Sequence, residues 1–164
     1  MKLGLCQMPV TASQQENHAA MCRYVRDAAA AGCDLVVLPE MWCCPYDNAA
    51  FADYAEPQGG RTWRLLRDTA RECCVWLVAG SVPERDGDAI YNTCYVFDPN
   101  GTQQAKHRKV HLFDIDVAGG QRFFESDTLS PGQHYTLFDT PFGKVGAAIC
   151  FDAVSYTHLT LPTT

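Results

Sequence analysis

The sequence predicts an α/β fold in which helices cover a sheet of mixed strand direction, and three observations carry that expectation. Short apolar runs with strand character alternate with helix-period segments through the first half of the chain. Past Ile90, two turn sequences each join a pair of strand-like runs into a hairpin. A content of 47% hydrophobic residues in 164 supplies the apolar side chains that one packed domain needs.

Taken in order, Leu3 to Gln7 reads as a short buried strand. Ser13, with Glu16 three residues on, has the capping-box spacing that satisfies backbone donors at a helix start. Cys22, Val25 and Ala29 then recur at helical spacing, and Gly32 is the residue type that closes a helix in the left-handed conformation. Leu35 to Leu38 has strand character. A second helix over about Thr62 to Cys73 and a strand over Val75 to Gly80 repeat the pattern. Tyr91 to Phe97 and Gln103 to Lys106 flank Asp98-Pro99-Asn100-Gly101, where Pro presets one dihedral and Gly accepts positive φ. A second hairpin joins Tyr135 to Phe138 and Lys144 to Cys150 around Thr140-Pro141-Phe142-Gly143. No repeat, low-complexity tract or linker interrupts the chain before residue 153.

Composition excludes several classes. The net charge is −6, and the only notable basic cluster runs from Lys106 to Lys109, so neither nucleic acid nor an anionic membrane is expected as a partner. Gln7 and Pro9 interrupt an apolar start too short for a signal peptide, and no later run reaches membrane-helix length; a cytoplasmic location is expected. The nine cysteines are odd in number and several lie in apolar runs, which argues against a disulfide framework. The pairs Cys43-Cys44 and Cys73-Cys74 lack the spacing that lets two sulfurs converge on zinc, and neither has a suitably spaced histidine pair after it; Cys43 and Cys44 carry no independent functional signal.

Three stretches hold residues with chemistry. The apolar run from Leu35 ends in Pro39-Glu40, the basic run from Lys106 closes on Lys109, and the small-residue strand from Val145 ends in Cys150. Singly, each is plain: core filler, the chain reaching water, and a solvated face. Jointly they form a Cys, Glu and Lys set. A thiol attacks an amide carbonyl only when one group removes its proton and another holds the oxygen that turns negative, which are tasks for a carboxylate and an ammonium. Ligands of open α/β sheets sit beyond the carboxyl ends of strands, where Glu40 and Cys150 are expected to fall.

Leu38-Pro39-Glu40-Met41-Trp42, Arg108-Lys109-Val110-His111-Leu112-Phe113 and Gly146-Ala147-Ala148-Ile149-Cys150-Phe151-Asp152 resemble the three motifs of the nitrilase superfamily of carbon-nitrogen hydrolases. Tyr91-Asn92-Thr93, Asp114-Ile115-Asp116, Phe124-Glu125-Ser126 and Leu129-Ser130-Pro131-Gly132 resemble its omega-amidase branch. The resemblance implies an α-β-β-α sandwich with mixed sheets, of which this chain is the N-terminal part, and a full-length homo-oligomer. It implies Glu40 as general base, Cys150 as nucleophile, and Lys109 with the Phe151 backbone N–H as oxyanion donors. It also implies Glu125 as a second glutamate that orients the lysine, and Tyr46 at the substrate mouth. Taken without the resemblance, Glu125 is a loop carboxylate capping the turn before Ser126. His107 and His111 are read as structural. No cofactor or metal is implied. The substrate is a small amide, with an omega-amide of a dicarboxylate such as 2-oxoglutaramate favoured. The alternatives are another superfamily branch acting on nitriles, N-carbamoyl amines or deaminated glutathione, or a non-catalytic thiol-rich or zinc-binding scaffold.

After Asp152 the resemblance calls for a hydrophobic residue followed by Arg-Phe-Pro-Glu, whereas this chain runs through Val154-Ser155-Tyr156-Thr157 to Thr164. Residues 1–152 are therefore expected to be an incomplete hydrolase domain and 153–164 a foreign read-through tail. With the remaining strands missing, sheet faces and edges stand open, and the isolated polypeptide is expected to be insoluble or inactive.

Overall fold

Alternation along the short strands decides which layer covers each face of the sheet. In the computed structural model, which describes residues 1–154, six strands form one sheet: β1 (Leu3–Leu5), β2 (Leu35–Val37), β3 (Trp76–Val78), β4 (Val82–Asp86), β5 (Ala89–Phe97) and β6 (Gln103–Arg108). Most of the expected tail, 155–164, lies outside the described residues. β1, β2 and β3 are parallel, and β5 runs antiparallel to β3, β4 and β6, so the sheet is mixed as predicted.

Side chains two apart share a face. Val36, Leu77, Tyr95 and Phe97 face the helices α1 (Gln14–Ala30) and α3 (Arg61–Cys73), where they share one buried cluster with Met21, Val25, Leu66 and Ala70. Leu35, Trp76, Cys94 and Val96 face the other way and meet Phe138 and Ile149. That second layer is the hairpin of β9 (Thr136–Thr140) and β10 (Gly143–Ala147), joined to the sheet by the near-parallel rings of Trp76 and Phe138 with centroids 6.5 Å apart. Helices, sheet and hairpin are thus three successive layers of an α-β-β-α arrangement.

Local chemistry explains the element ends. The Ser13 side chain accepts the Glu16 N–H at 3.3 Å and starts α1, but the reciprocal half of the box is indirect. Thr11 Oγ1 donates to Glu16 and accepts from the Ser13 N–H. Past the helix, Gly32 sits at φ 80°. In α3, Thr62, Leu66, Thr69 and Ala70 are buried, the stripe of a helix lying on a sheet.

Several elements escape the sequence reading. Helix α2 (Asn48–Tyr54) has only seven residues, capped by Asp47, and buries only Ala50 and Phe51, too few to set a period. β4 contains Pro83 and three charged residues, a composition that reads as loop; it survives at the edge of the sheet, beside the Glu56 bridge. The hairpin of β7 (Asp114–Asp116) and β8 (Arg122–Phe124) has strands of three residues each.

Between β3 and β4 the chain bends at Gly80, with φ 57°. A Cβ there would lie 2.0 Å from the Pro39 carbonyl oxygen, so the bend and the loop carrying Glu40 are in backbone contact. Gly80→Ala is expected to lower the unfolding free energy by at least about 3 kcal/mol, the sum of left-handed strain and overpacking. Chemical denaturation measures this, and an unchanged midpoint contradicts it.

Candidate active site

Three backbone devices deliver the motif side chains to one edge of the sheet. After β2, Leu38 donates to the Val78 carbonyl, and Met41 turns the chain sharply at φ 49°. The Met41 N–H bonds Ser81 Oγ and the Trp42 indole bonds the Ala79 carbonyl, which ties the Glu40 loop to the β3–β4 bend. Lys109 is the first residue after β6; its N–H donates to the Asn92 carbonyl at 2.8 Å, and its carbonyl accepts the Gly132 N–H at 2.7 Å. Cys150 differs from its expected place at a strand end. Pairing stops at Ala147, and Cys150 opens a short 3-10 turn, Cys150–Ala153, at φ 47°. The left-handed conformation breaks the strand and leaves Cys150 exposed.

The side chains converge on a buried ammonium. Lys109 has 0% of its side chain exposed, and its Nζ lies 2.9 Å from Glu40 Oε1 and 3.0 Å from Glu125 Oε2. Glu125 is also fully buried: its Oε1 accepts the Tyr46 hydroxyl at 2.5 Å and its Oε2 accepts the Phe113 N–H at 2.6 Å. It therefore does not face solvent as a loop carboxylate would. Asn92 Nδ2 donates to Glu40 Oε1 at 2.8 Å. Burial alone would push the Lys109 pKa down, but the bonds and charges of Glu40 and Glu125 outweigh it and hold the value above that of an ordinary lysine. The Tyr46 phenol is pushed far up by partial burial, by its bond to Glu125 and by the carboxylate charges.

The Cys150 thiol feels the same cluster. Partial desolvation and then the Glu40 charge raise its pKa, the Lys109 charge pulls the other way, and a hydrogen bond to Glu40 adds to the rise. The protonated thiol is thus the favoured resting form. The Phe151 N–H, at the second position of the turn, is one of the donors a helical turn leaves open at its start. A cleft of about 570 Å³ between the sheet and the hairpin has Glu40 and Cys150 on its wall, with Val78, Cys94 and Ile149 supplying apolar surface.

One buried residue that sequence reasoning passed over holds the turn that carries Cys150. Asp152 Oδ2 accepts the Ile149 N–H at 2.9 Å and meets His107 Nε2 at 2.9 Å. Its Oδ1 accepts the N–H groups of Val110 and His111 at 3.0 and 2.8 Å and meets His111 Nδ1. One carboxylate thus joins the residue before Cys150 to the two residues after Lys109. His107 and His111, read as structural, serve this clamp. Burial alone would raise the Asp152 pKa, but the bonds from His107 and the backbone hold it well below the usual carboxylate range. Its sequence signal was a carboxylate two residues past the motif cysteine; Asn92 was marked by a side-chain amide in a strand otherwise free of amides and charges.

Five of the nine cysteines are buried in the packed interior, and Cys74 and Cys150 are the two exposed ones. Among the described residues, no group of three or more His, Cys, Asp or Glu is arranged to hold a metal ion, and no helix is long and apolar enough to cross a membrane.

The family described as carbon-nitrogen hydrolase matches residues 2–157. The chain belongs to the carbon-nitrogen hydrolase family. It is 48% identical to omega-amidase NIT2-A of Xenopus laevis and 45% identical to omega-amidase NIT2 of Homo sapiens, each over 151 residues and 92% of this chain. The chain spans about half the length of these curated relatives, 55% of each. Among solved structures, Nit3 of Saccharomyces cerevisiae, a member of branch 10 of the nitrilase superfamily, matches with TM-score 0.82 and 34% identity over 93% of this chain and 56% of that one. The NitFhit protein of C. elegans matches with TM-score 0.80 and 26% identity over 93% of this chain and 38% of its own.

Asp152→Asn keeps the shape but turns an NH2 group toward the Ile149 N–H or the His111 side. It is expected to cost on the order of 3 kcal/mol at neutral pH. Because the folded pKa of Asp152 is depressed, its contribution is fully present above the unfolded value, about 3.9, and is lost as pH falls below that. The stability gap between wild type and variant, measured by denaturant titration, should narrow below about pH 4; a gap constant with pH contradicts the clamp.

Proposed function

We propose that this sequence carries a thiol hydrolase that releases ammonia from a small amide through a Cys150 thioester, with an omega-amide of a dicarboxylate, of the 2-oxoglutaramate type, as substrate. The observation that carries the proposal is the fully buried Lys109 ammonium held between Glu40 and Glu125 beside an exposed thiol. The identity of 48% to an omega-amidase, against 34% to Nit3, favours the omega-amide branch over the others.

The chemistry follows from charge bookkeeping. Lys109, Glu40 and Glu125 together hold one net negative charge, and passing the Cys150 proton to Glu40 moves that charge from oxygen to sulfur without changing the total. The raised thiol pKa makes this transfer necessary, since little thiolate forms unaided. Sulfur bonds to the amide carbon, and the carbonyl electrons move to oxygen. An ammonium has three N–H donors; Glu40 and Glu125 engage two, which leaves one for the oxyanion beside the Phe151 N–H. Protonated Glu40 then gives its proton to the nitrogen, the C–N bond breaks and ammonia leaves. Water, deprotonated by Glu40, attacks the thioester; the C–S bond breaks, and the proton returns to sulfur. Tyr46, bonded to Glu125 and 42% exposed, reaches from this cluster to the surface and would line the substrate's path. The nine unpaired cysteines suit a reducing compartment such as the cytoplasm. A homo-oligomer of the full-length protein belongs to the same proposal.

Three outcomes test this in the full-length product of the gene. Lys109→Ala should lower kcat about a hundred- to a thousandfold, the usual loss of one oxyanion donor; ammonia release at the wild-type rate contradicts it. In a Cys74→Ser background, iodoacetamide should alkylate Cys150 with a pH midpoint above the ordinary thiol value of about 8.5. Glu40→Gln should move that midpoint down while removing turnover, because it deletes the charge that opposes the thiolate; a midpoint that stays or rises contradicts the assignment.

A further inference from the structure

We infer that Asn92 is a positioning residue for the general base: with Lys109 it occupies Glu40 Oε1, and so assigns proton traffic between the Cys150 thiol and the departing nitrogen to Oε2. The inference rests on the reading of Glu40 as proton carrier.

Asn92 lies in β5 with none of its surface exposed, and it shares strand parity with Cys94 and Val96, whose side chains face the hairpin layer. It touches both charged members of the set. Its Nδ2 donates to Glu40 Oε1 at 2.8 Å, and its main-chain carbonyl accepts the Lys109 N–H at 2.8 Å. Glu40 Oε1 therefore receives two donors, Asn92 Nδ2 and Lys109 Nζ. Both hydrogen bonds that Glu40 takes from these nitrogens end on the same oxygen, and neither ends on Oε2. Hydrogen bonds to a carboxylate oxygen stabilise its charge and lower its basicity, so the next proton goes to the other oxygen.

The other end of the amide shows that this contact is maintained at a cost. Asn92 Oδ1 is buried and has no partner. A buried orphan acceptor is unfavourable, and an apolar side chain of similar size in the strand would avoid it. Turning the amide over brings no relief, because Oδ1 would then face the Glu40 carboxylate while Nδ2 lost its acceptor. The amide earns its place only through the bond to Glu40. That bond also fixes the carboxylate plane, which a lysine ammonium, with no directional fork, would leave free to rotate.

The test uses the full-length gene product and an ammonia-release assay on short amides across pH. Asn92→Asp is isosteric. When protonated it still donates to Glu40 Oε1; when ionised it donates nothing and repels Glu40. Its kcat should therefore persist at acid pH and fall through a basic limb well below that of the wild type, with at least about a tenfold loss at pH 8 and KM within about threefold, the size of one lost charge-assisted bond. Asn92→Ala, which leaves Oε1 to Lys109 alone, should lower kcat about tenfold with KM within about threefold, and this split decides the matter if the Asp variant does not fold. A pH profile of Asn92→Asp shaped like the wild type, or a loss confined to KM in either variant, overturns the positioning role. Wild type that releases no ammonia, or Cys150→Ser that still turns over, overturns the hydrolase reading beneath it.

Discussion

One buried cation organises the active edge of this protein. An ammonium with no exposed surface carries a desolvation cost of several kcal/mol, which only close and well-directed anions offset. Glu40 and Glu125 supply them, and their bonds to Lys109 join the loop after β2, the end of β6 and the turn after β8. Each carboxylate is held in turn by neutral donors, Asn92 on one and Tyr46 with the Phe113 N–H on the other. The cluster is thus a structural knot, and the geometry that stabilises the fold also sets the distances on which the proposed chemistry draws.

The Cys150 thiol is held differently. Cys150 sits in a left-handed conformation that a non-glycine residue adopts only under constraint. Asp152 supplies the constraint by bonding the Ile149 N–H on one side and the backbone after Lys109 on the other. Thiol and ammonium are therefore fixed to each other through main-chain bonds, while the thiol itself stays open to the cleft. The charged cluster and this turn meet at one edge, where partial desolvation and then the Glu40 charge raise the pKa of the sulfur that the turn presents, against the pull of Lys109.

Much of this was legible in residue order. The periods around Cys22, Val25 and Ala29, and the turn at Asp98-Pro99-Asn100-Gly101, mark the helix and hairpin that form. Glu40, Lys109 and Cys150 stood out because strand-end motifs carried them, and the structure brings all three together with Glu125. What stayed hidden has physical reasons. β4 is held by pairing with β5 against its own composition, and α2 is too short to show a period. Cys150 follows two unpaired residues because a turn, not a strand end, exposes a side chain there. Asn92 and Asp152 act through bonds to residues 52 and 41 positions away, a separation that no local pattern encodes.

In the proposed reaction the Cys150 sulfur carries the acyl group of a small amide while Lys109 and Glu40 manage the charge and the proton. Rapid acid quench of the full-length gene product during turnover of an omega-amide, followed by peptide mass spectrometry, tests it most directly. The acyl mass should appear on the peptide containing Cys150, in step with the first equivalent of ammonia. Ammonia released with that cysteine unmodified throughout, or the acyl group found on another residue, would contradict it.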